Sequence, residues 1–156
     1  MAFATKILVP TDLSVASRLA VEASALLAKE MNADVLLFYV YDPSLLGPTH
    51  SPPSLTGLMV DARAEAPIFE NEIRNDLERV KHGPLGGVHH VDVEIAQHAS
   101  PATAICTRAA EVDADLIVLA THGRKGIARF LIGSVTDDVV RRANCPVLTL
   151  RSKAED

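Results

Sequence analysis

Residues 120–136 are the part of the chain whose types and spacing could bind a phosphate group. They follow the apolar run 116–119, which predicts a buried strand, and lead into a pattern at 134–142 that predicts a helix. A strand that ends in a glycine-containing loop and restarts as a helix directs backbone N–H groups and the positive helix end into one small volume. Residues 124–142 also hold five Lys or Arg against two Asp. The segment therefore predicts an anion site.

A second interpretation of the same residues needs no ligand. Ser134, with Asp137 three positions later, resembles a capping box that would use the N–H groups of the helix start. Asp137 and Asp138 would complement the helix dipole and partly repel a phosphate. Spacing and charge leave both interpretations open.

Length and composition limit the class of protein. At 156 residues the chain is long enough for one domain with a full core, and we expect a single domain over residues 1–156. The net charge of -5 argues against general binding to nucleic acid or to anionic membranes, since these polyanions require a dominant basic surface. No apolar stretch approaches the ~20 residues that span a bilayer, so we expect a cytoplasmic location.

Cysteine and histidine spacing predicts neither a disulfide nor a metal site. Cys106 and Cys145 are far apart in the sequence and form no C-x-x-C pattern, so we expect reduced, packed thiols. The histidines show no metal-ligand spacing. We therefore expect no structural metal.

Short apolar runs alternate with helical patterns along the chain. The strand candidates are residues 6–9, 35–40, 91–95, 116–119 and 147–150. This alternation predicts an α/β fold, a five-stranded parallel doubly wound sheet with helices on both faces. In such sheets a ligand binds beyond the carboxyl ends of the strands, where the winding direction reverses. If the first and fourth strands are neighbours there, residues 10–12 face residues 120–123 across one crevice.

The stretch 42–67 contains five prolines and predicts a long loop that emerges at the ligand end of the sheet. A lid over the site and plain mobility both fit such a loop.

Four motifs together resemble the universal stress protein family, and the resemblance covers essentially the whole chain. They are Val9-Pro10-Thr11-Asp12-Leu13-Ser14, the stretch 115–124, Gly133-Ser134-Val135 and Cys145-Pro146-Val147-Leu148. Nucleotide-binding members of the family have a glycine, two residues, a second glycine, nine residues, and then Gly-Ser or Gly-Thr. Gly123 and Gly133-Ser134 match this spacing, whereas Ala120 stands at the first glycine. The resemblance implies a Rossmann-like fold of the adenine nucleotide alpha hydrolase-like type.

The resemblance also implies an ATP site, with its residues assigned by position. Those implied at the adenine and ribose are Pro10, Thr11, Asp12 and the backbone of Val40. Those implied at the ribose and phosphates are Leu119, Ala120, His122, Gly123 and Arg124. Those implied as donors to the phosphates are Gly133, Ser134, Val135 and Thr136. AMP or ADP could replace ATP, and Mg²⁺ could accompany the triphosphate, although Asp12 is the only evident carboxylate.

Simple structural roles stay open for three of these residues. Asp12 could cap the first helix, His122 could be a turn residue, and Arg124 could be a solvated surface charge.

Ala120 raises a different question. If the bound conformation needs a positive φ at this position, an alanine there raises the conformational free energy by about 1 to 2 kcal/mol. That corresponds to roughly a five- to thirtyfold loss of affinity for the nucleotide. If its φ is negative, the cost is nearly nil.

The resemblance implies an ATP-binding stress-response regulatory protein in which the nucleotide modulates conformation or dimerisation. Two alternatives stay open: a nucleotide-free homodimeric interaction protein, with Ala120 marking a lost site, and a slow ATPase. The chain has no G-x-x-x-x-G-K-[ST] loop and no Ser or Cys nucleophile with an evident neighbouring base, so we assign no catalytic residue. We expect a homodimer through the apolar edge strand 147–150, unless Arg151 and Lys153 protect that edge in a monomer.

Overall fold

Strands and helices alternate along the chain, and the computed structural model describes residues 4–46, 62–121 and 133–151. In chain order the elements are β1 (Lys6–Pro10), α1 (Val15–Met31), β2 (Asp34–Tyr41), α2 (Ala62–His82), β3 (Val91–Gln97), α3 (Pro101–Glu111), β4 (Leu116–Thr121), α4 (Ser134–Arg142) and β5 (Val147–Arg151). A short 3-10 helix at Pro43–Leu45 follows β2. Among the helices of these residues, none is long and apolar enough to cross a membrane.

The strands form one parallel sheet in the order β3-β2-β1-β4-β5. This topology confirms the predicted α/β fold. β1 and β4 are neighbours, with Ile7 opposite Leu116 and Leu8 opposite Ile117. The chain proceeds outward from β1 to β3 in one direction and from β4 to β5 in the other. The winding therefore reverses between β1 and β4, and the adjacency on which the predicted crevice depends is confirmed.

Each face of the sheet buries its own apolar core, because strand side chains alternate between the two faces. Ile7 and Val9 of β1 pack in the core beneath α1 and α2, whereas Leu8 packs in the core beneath α3 and α4. In β2 the same alternation separates Leu37 from Phe38. Helices consequently cover both faces, as a doubly wound sheet requires.

Both cysteines are free and pack against the core beneath α3 and α4, as expected of reduced thiols. Burial raises the pKa of Cys106 and of Cys145, so both thiols are protonated at neutral pH.

The prediction that residues 42–67 form a loop is wrong at its C-terminal end, because α2 already begins at Ala62. Pro67 lies inside this helix, where it removes one backbone hydrogen bond. The residues before it read Ala-Arg-Ala-Glu-Ala, which are helix formers, so the helix continues through the proline. Residues 47–61, where the expected lid falls, lie outside the described residues.

The carboxylate of Asp115 joins the amino ends of β1 and β4. Its Oδ2 accepts hydrogen bonds from the Thr5 backbone N–H at 2.7 Å, the Thr5 hydroxyl at 2.8 Å and the Lys6 backbone N–H at 3.0 Å. These bonds favour the ionised form and hold the pKa of Asp115 below its ordinary value. The backbone N–H of Asp115 also donates to the Lys6 carbonyl at 2.9 Å. One residue thus aligns the two strands that define the crevice.

We predict that Asp115→Ala lowers the free energy of unfolding by about 1–2 kcal/mol at pH 7, because two backbone N–H groups lose a charged acceptor. Asp115→Asn keeps an acceptor oxygen and should have a smaller effect. Since the pKa is depressed in the folded state, the contribution is present above the unfolded-state pKa of about 3.9 and is lost as the pH falls through the folded-state value. Urea unfolding between pH 7 and pH 3 measures this. A deficit of Asp115→Ala that stays constant with pH contradicts it.

Candidate functional site

A cavity of about 200 Å³ opens at the carboxyl ends of β1, β2 and β4. It lies where the winding reverses, on the face of the sheet that α3 and α4 cover. Its lining consists of Pro10, Thr11, Asp12, Ser17, Phe38, Val40, Pro101, Ile105, Leu119, Ala120, Val135 and Thr136. Apolar side chains dominate the wall, and a few polar groups interrupt it, as is typical of small-molecule sites.

Eight of the sequence-predicted site residues line this cavity together. They are Pro10, Thr11, Asp12, Val40, Leu119, Ala120, Val135 and Thr136. Gly133 and Ser134 directly precede Val135 at the start of α4 and are not part of the lining. His122, Gly123 and Arg124 lie outside the described residues. The binding role of all these residues stays a prediction.

Sequence reasoning misses four lining residues, Ser17, Phe38, Pro101 and Ile105. A signal was available for three of them. Phe38 precedes Val40 by two positions, so their side chains lie on the same face of β2. Pro101 begins α3, and Ile105 lies one turn later among its buried residues. Ser17 gives no such signal, because nothing in its sequence context separates it from an ordinary buried helix residue.

The loop between β1 and α1 holds Asp12 at the cavity. Ser14 caps α1 by accepting the backbone N–H of Ser17 at 3.2 Å, and Asp12 Oδ1 accepts the backbone N–H of Ser14 at 3.0 Å. The helix cap is therefore Ser14, and the capping role considered for Asp12 is wrong. Burial and, next, the negative charge of Asp12 raise the pKa of Tyr39. The negative charge of the Asp12 carboxylate therefore reaches Tyr39 near the carboxyl end of β2.

The start of α4 has no side-chain cap from the part of the chain that the structure describes. Gly133 is the N-cap residue and makes no capping hydrogen bond, and Ser134 is already the first helical residue. Asp137 instead pairs with Arg141 at 3.0 Å. The capping box considered from the sequence is therefore wrong. No side chain of the described residues caps the first-turn N–H groups, and Val135 and Thr136 of this turn line the cavity, so the positive helix end lies at the cavity.

Ala120 is not strained by standing where the family pattern has glycine. The described non-glycine residues with positive φ are Leu13, Asn32 and Asp113, and Ala120 belongs to β4. The affinity penalty considered for a positive φ therefore does not arise. Gly133 also has ordinary backbone angles, φ −53° and ψ 147°, and a Cβ placed there would meet nothing within 4 Å. No described residue fills the space in front of Gly133.

The described residues at this site offer few ligands for a metal ion. The described part of the chain contains no group of three or more His, Cys, Asp or Glu side chains arranged to hold a metal. Asp12 is the one acidic residue in the described lining. A single carboxylate fits Mg²⁺ that is held mainly by phosphate oxygens and water.

Comparisons with known proteins agree on one family. The model of the universal stress protein family matches residues 4–151. Universal stress protein MJ0531 of Methanocaldococcus jannaschii is 31% identical over 153 residues, which are 97% of this chain and 84% of that protein. The solved structure of universal stress protein UspA from Lactobacillus plantarum is 29% identical, with a TM-score of 0.66 over 94% of this chain and 97% of that one. A universal stress protein solved in complex with cAMP is 27% identical, with a TM-score of 0.66 over 96% and 98% of the two chains.

We predict that Ala120→Gly lowers the free energy of unfolding by about 0.5–1 kcal/mol, because glycine in a strand loses more backbone entropy on folding and no strain is relieved. Urea unfolding of the variant and the wild type measures the difference. Stabilisation by the glycine would show that Ala120 is strained and would contradict the description of the site.

Proposed function

This chain belongs to the universal stress protein family, and we propose that it is a stress-response regulatory protein that binds an adenine nucleotide, ATP, AMP or ADP, in the cavity between β1 and β4. The observation that supports this best is the uncapped start of α4 beside an apolar cavity. The chain acts in this proposal as a single domain over residues 1–156, in the cytoplasm.

The apolar part of the cavity suits a flat, weakly polar base. Four apolar side chains from three elements line the same cavity: Phe38 and Val40 of β2, Ile105 of α3 and Leu119 of β4. A volume of about 200 Å³ is below the 300–1,000 Å³ that is usual for a whole drug-sized ligand. The described cavity thus suits the base and sugar, with the phosphates toward α4.

The start of α4 suits the phosphates. Its first-turn N–H groups, from Ser134 to Thr136, are donors that no described side chain caps, and the helix dipole favours negative charge there. The space before Gly133, which no described residue fills, allows an oxygen atom to approach the backbone closely. His122, Gly123 and Arg124 complete the proposed phosphate contacts.

A relative supports the class of ligand. The universal stress protein solved with cAMP is 27% identical to this chain over nearly its full length. Cyclic AMP contains the adenine, ribose and phosphate that the proposed contacts of Asp12, Val40 and α4 require. Mg²⁺ would accompany ATP through the phosphates, with Asp12 as the one carboxylate that the described lining offers.

We predict that millimolar MgATP raises the melting temperature of the wild-type chain, since a ligand at 100 times its Kd adds about 2.7 kcal/mol. Gly133→Ala should weaken binding at least tenfold while the fold is retained, because its methyl group enters open space that the phosphates would occupy. Thermal shift and calorimetric titration measure both effects.

Val140→Ala serves as the matched control, because Val140 is exposed on the same helix and does not line the cavity. It should bind like the wild type. Absence of any nucleotide effect on the wild-type protein contradicts the proposed function and favours a nucleotide-free interaction protein. Several phosphate turnovers per chain would instead indicate a slow ATPase.

We also propose that the chain forms a homodimer through β5. This strand pairs only with β4 in the described sheet, and its Leu148 is 36% exposed. An exposed apolar edge strand is a template for pairing with a second copy. Because β5 adjoins β4, an association at this edge lies one strand away from the proposed nucleotide site.

We predict that Leu148→Lys combined with Thr149→Lys raises the dimer Kd at least tenfold, because like charges would meet across a two-fold axis. Asp92→Lys on β3, the opposite edge strand, is the control and should leave the dimer intact. Light scattering at tens of micromolar protein measures the mass. A wild-type monomer under these conditions contradicts the proposed dimer.

A further inference from the structure

Two buried hydroxyl groups lie beneath the loop that carries Asp12. Thr11 Oγ1 and Ser17 Oγ are 3.0 Å apart, and the two residues are only 8% and 7% exposed. Both residues line the proposed nucleotide cavity, and both also line a second cavity of about 270 Å³ beside α1 and the end of α2. The pair therefore forms part of the partition between two cavities.

The direction of each hydroxyl proton follows from the neighbouring bonds. Ser17 Oγ lies 2.9 Å from the Ser14 carbonyl oxygen, which can only accept, so the single Ser17 proton goes there. The proton between the two hydroxyls must then come from Thr11. The hydrogen bonds run in one direction, from Thr11 to Ser17 and from Ser17 to the Ser14 carbonyl.

The same hydroxyl of Thr11 also stabilises a strained residue. Thr11 Oγ1 accepts the backbone N–H of Leu13 at 3.0 Å, and Leu13 has a φ of 62°, in the left-handed region that disfavours a bulky side chain. The Thr11 backbone N–H donates to the Phe38 carbonyl at 2.9 Å, which fixes this residue to β2. Asp12 lies between two residues that these bonds hold in place.

These bonds leave the Thr11 hydroxyl with one unused hydrogen-bonding site. A hydroxyl has one proton and two acceptor lone pairs. The proton goes to Ser17, and one lone pair accepts the Leu13 N–H. One lone pair remains, so Thr11 can accept a hydrogen bond from a ligand and cannot donate one.

We propose that Ser17 is a positioning residue that makes Thr11 an acceptor-only group, so that the cavity selects nucleotides presenting a hydrogen-bond donor to the β1 side. This proposal rests on the proposed nucleotide site. The neighbouring groups act in the same sense, because the Asp12 carboxylate only accepts and Pro10 has no N–H. The β1 side therefore accepts hydrogen bonds, the α4 side donates them, and the ligand is oriented between them.

The test compares ligands that differ in one donor. In the base arm, ATP is compared with 6-methoxypurine riboside triphosphate, in which an acceptor oxygen replaces the 6-amino donor and N1 stays an acceptor. In the sugar arm, ATP is compared with analogues in which fluorine replaces the 2′- or the 3′-hydroxyl. The wild-type chain should bind at least one of these substitutes roughly 5- to 100-fold more weakly, since a donor is replaced by an acceptor facing a fixed lone pair.

Ser17→Ala releases the Thr11 proton, which can then donate to the ligand, so the affinity ratio in that arm should shrink at least threefold. Ser17→Thr retains the hydroxyl and should retain the wild-type ratio. A merely structural role of Ser17 would weaken all ligands alike and leave the ratios unchanged. Ratios within twofold of the wild type in Ser17→Ala, in every arm, overturn the proposal. So does a wild-type chain that binds all the analogues equally.

A ligand-free measurement separates this proposal from the proposed function. If the wild-type chain binds no nucleotide, the proposed function fails, and proton NMR still tests the hydrogen-bond direction. A slowly exchanging Thr11 hydroxyl proton in contact with Ser17, lost in Ser17→Ala but kept in Ser17→Thr, is the expected result. A Ser17 proton directed to Thr11 overturns the inference.

Discussion

The reversal of winding between β1 and β4 is the constraint on which the rest of the structure depends. On either side of this point the connecting chain leaves in opposite directions, so neither connection fills the space above the two strand ends. The cavity occupies that space. Asp115, at the opposite end of the same strands, fixes their alignment through three hydrogen bonds to one oxygen.

The fold could be predicted from the sequence because its signals are local and repeated. Alternating apolar runs and helical patterns indicate a parallel doubly wound sheet, and the buried alternation of Leu8 and Val9 follows from strand geometry. The end of the long loop could not be predicted in this way. Pro67 suggested an interruption, but the helix formers before it outweigh one missing hydrogen bond.

The site was predictable in part, because eight of its predicted residues lie on motifs at strand ends. Its remaining features depend on tertiary contacts, which the spacing of residues along the sequence does not reveal. The capping pattern of Ser134 and Asp137 was misleading, since α4 starts one residue earlier than a Ser134 cap requires, with Gly133 as its N-cap residue. Ser17 was missed because its role depends on where its hydroxyl meets Thr11. The left-handed Leu13 is stabilised by a second hydrogen bond to the same Thr11 hydroxyl.

The central claim is that nucleotide binds between Asp12 and the start of α4, and amide NMR during titration with MgATP tests it most directly. The account predicts the largest shift changes at Asp12, Ala120 and the amides of residues 134–136, with small changes along α2. Changes confined to the second cavity, around Arg18 and Arg79, or no saturable change at all, would contradict it.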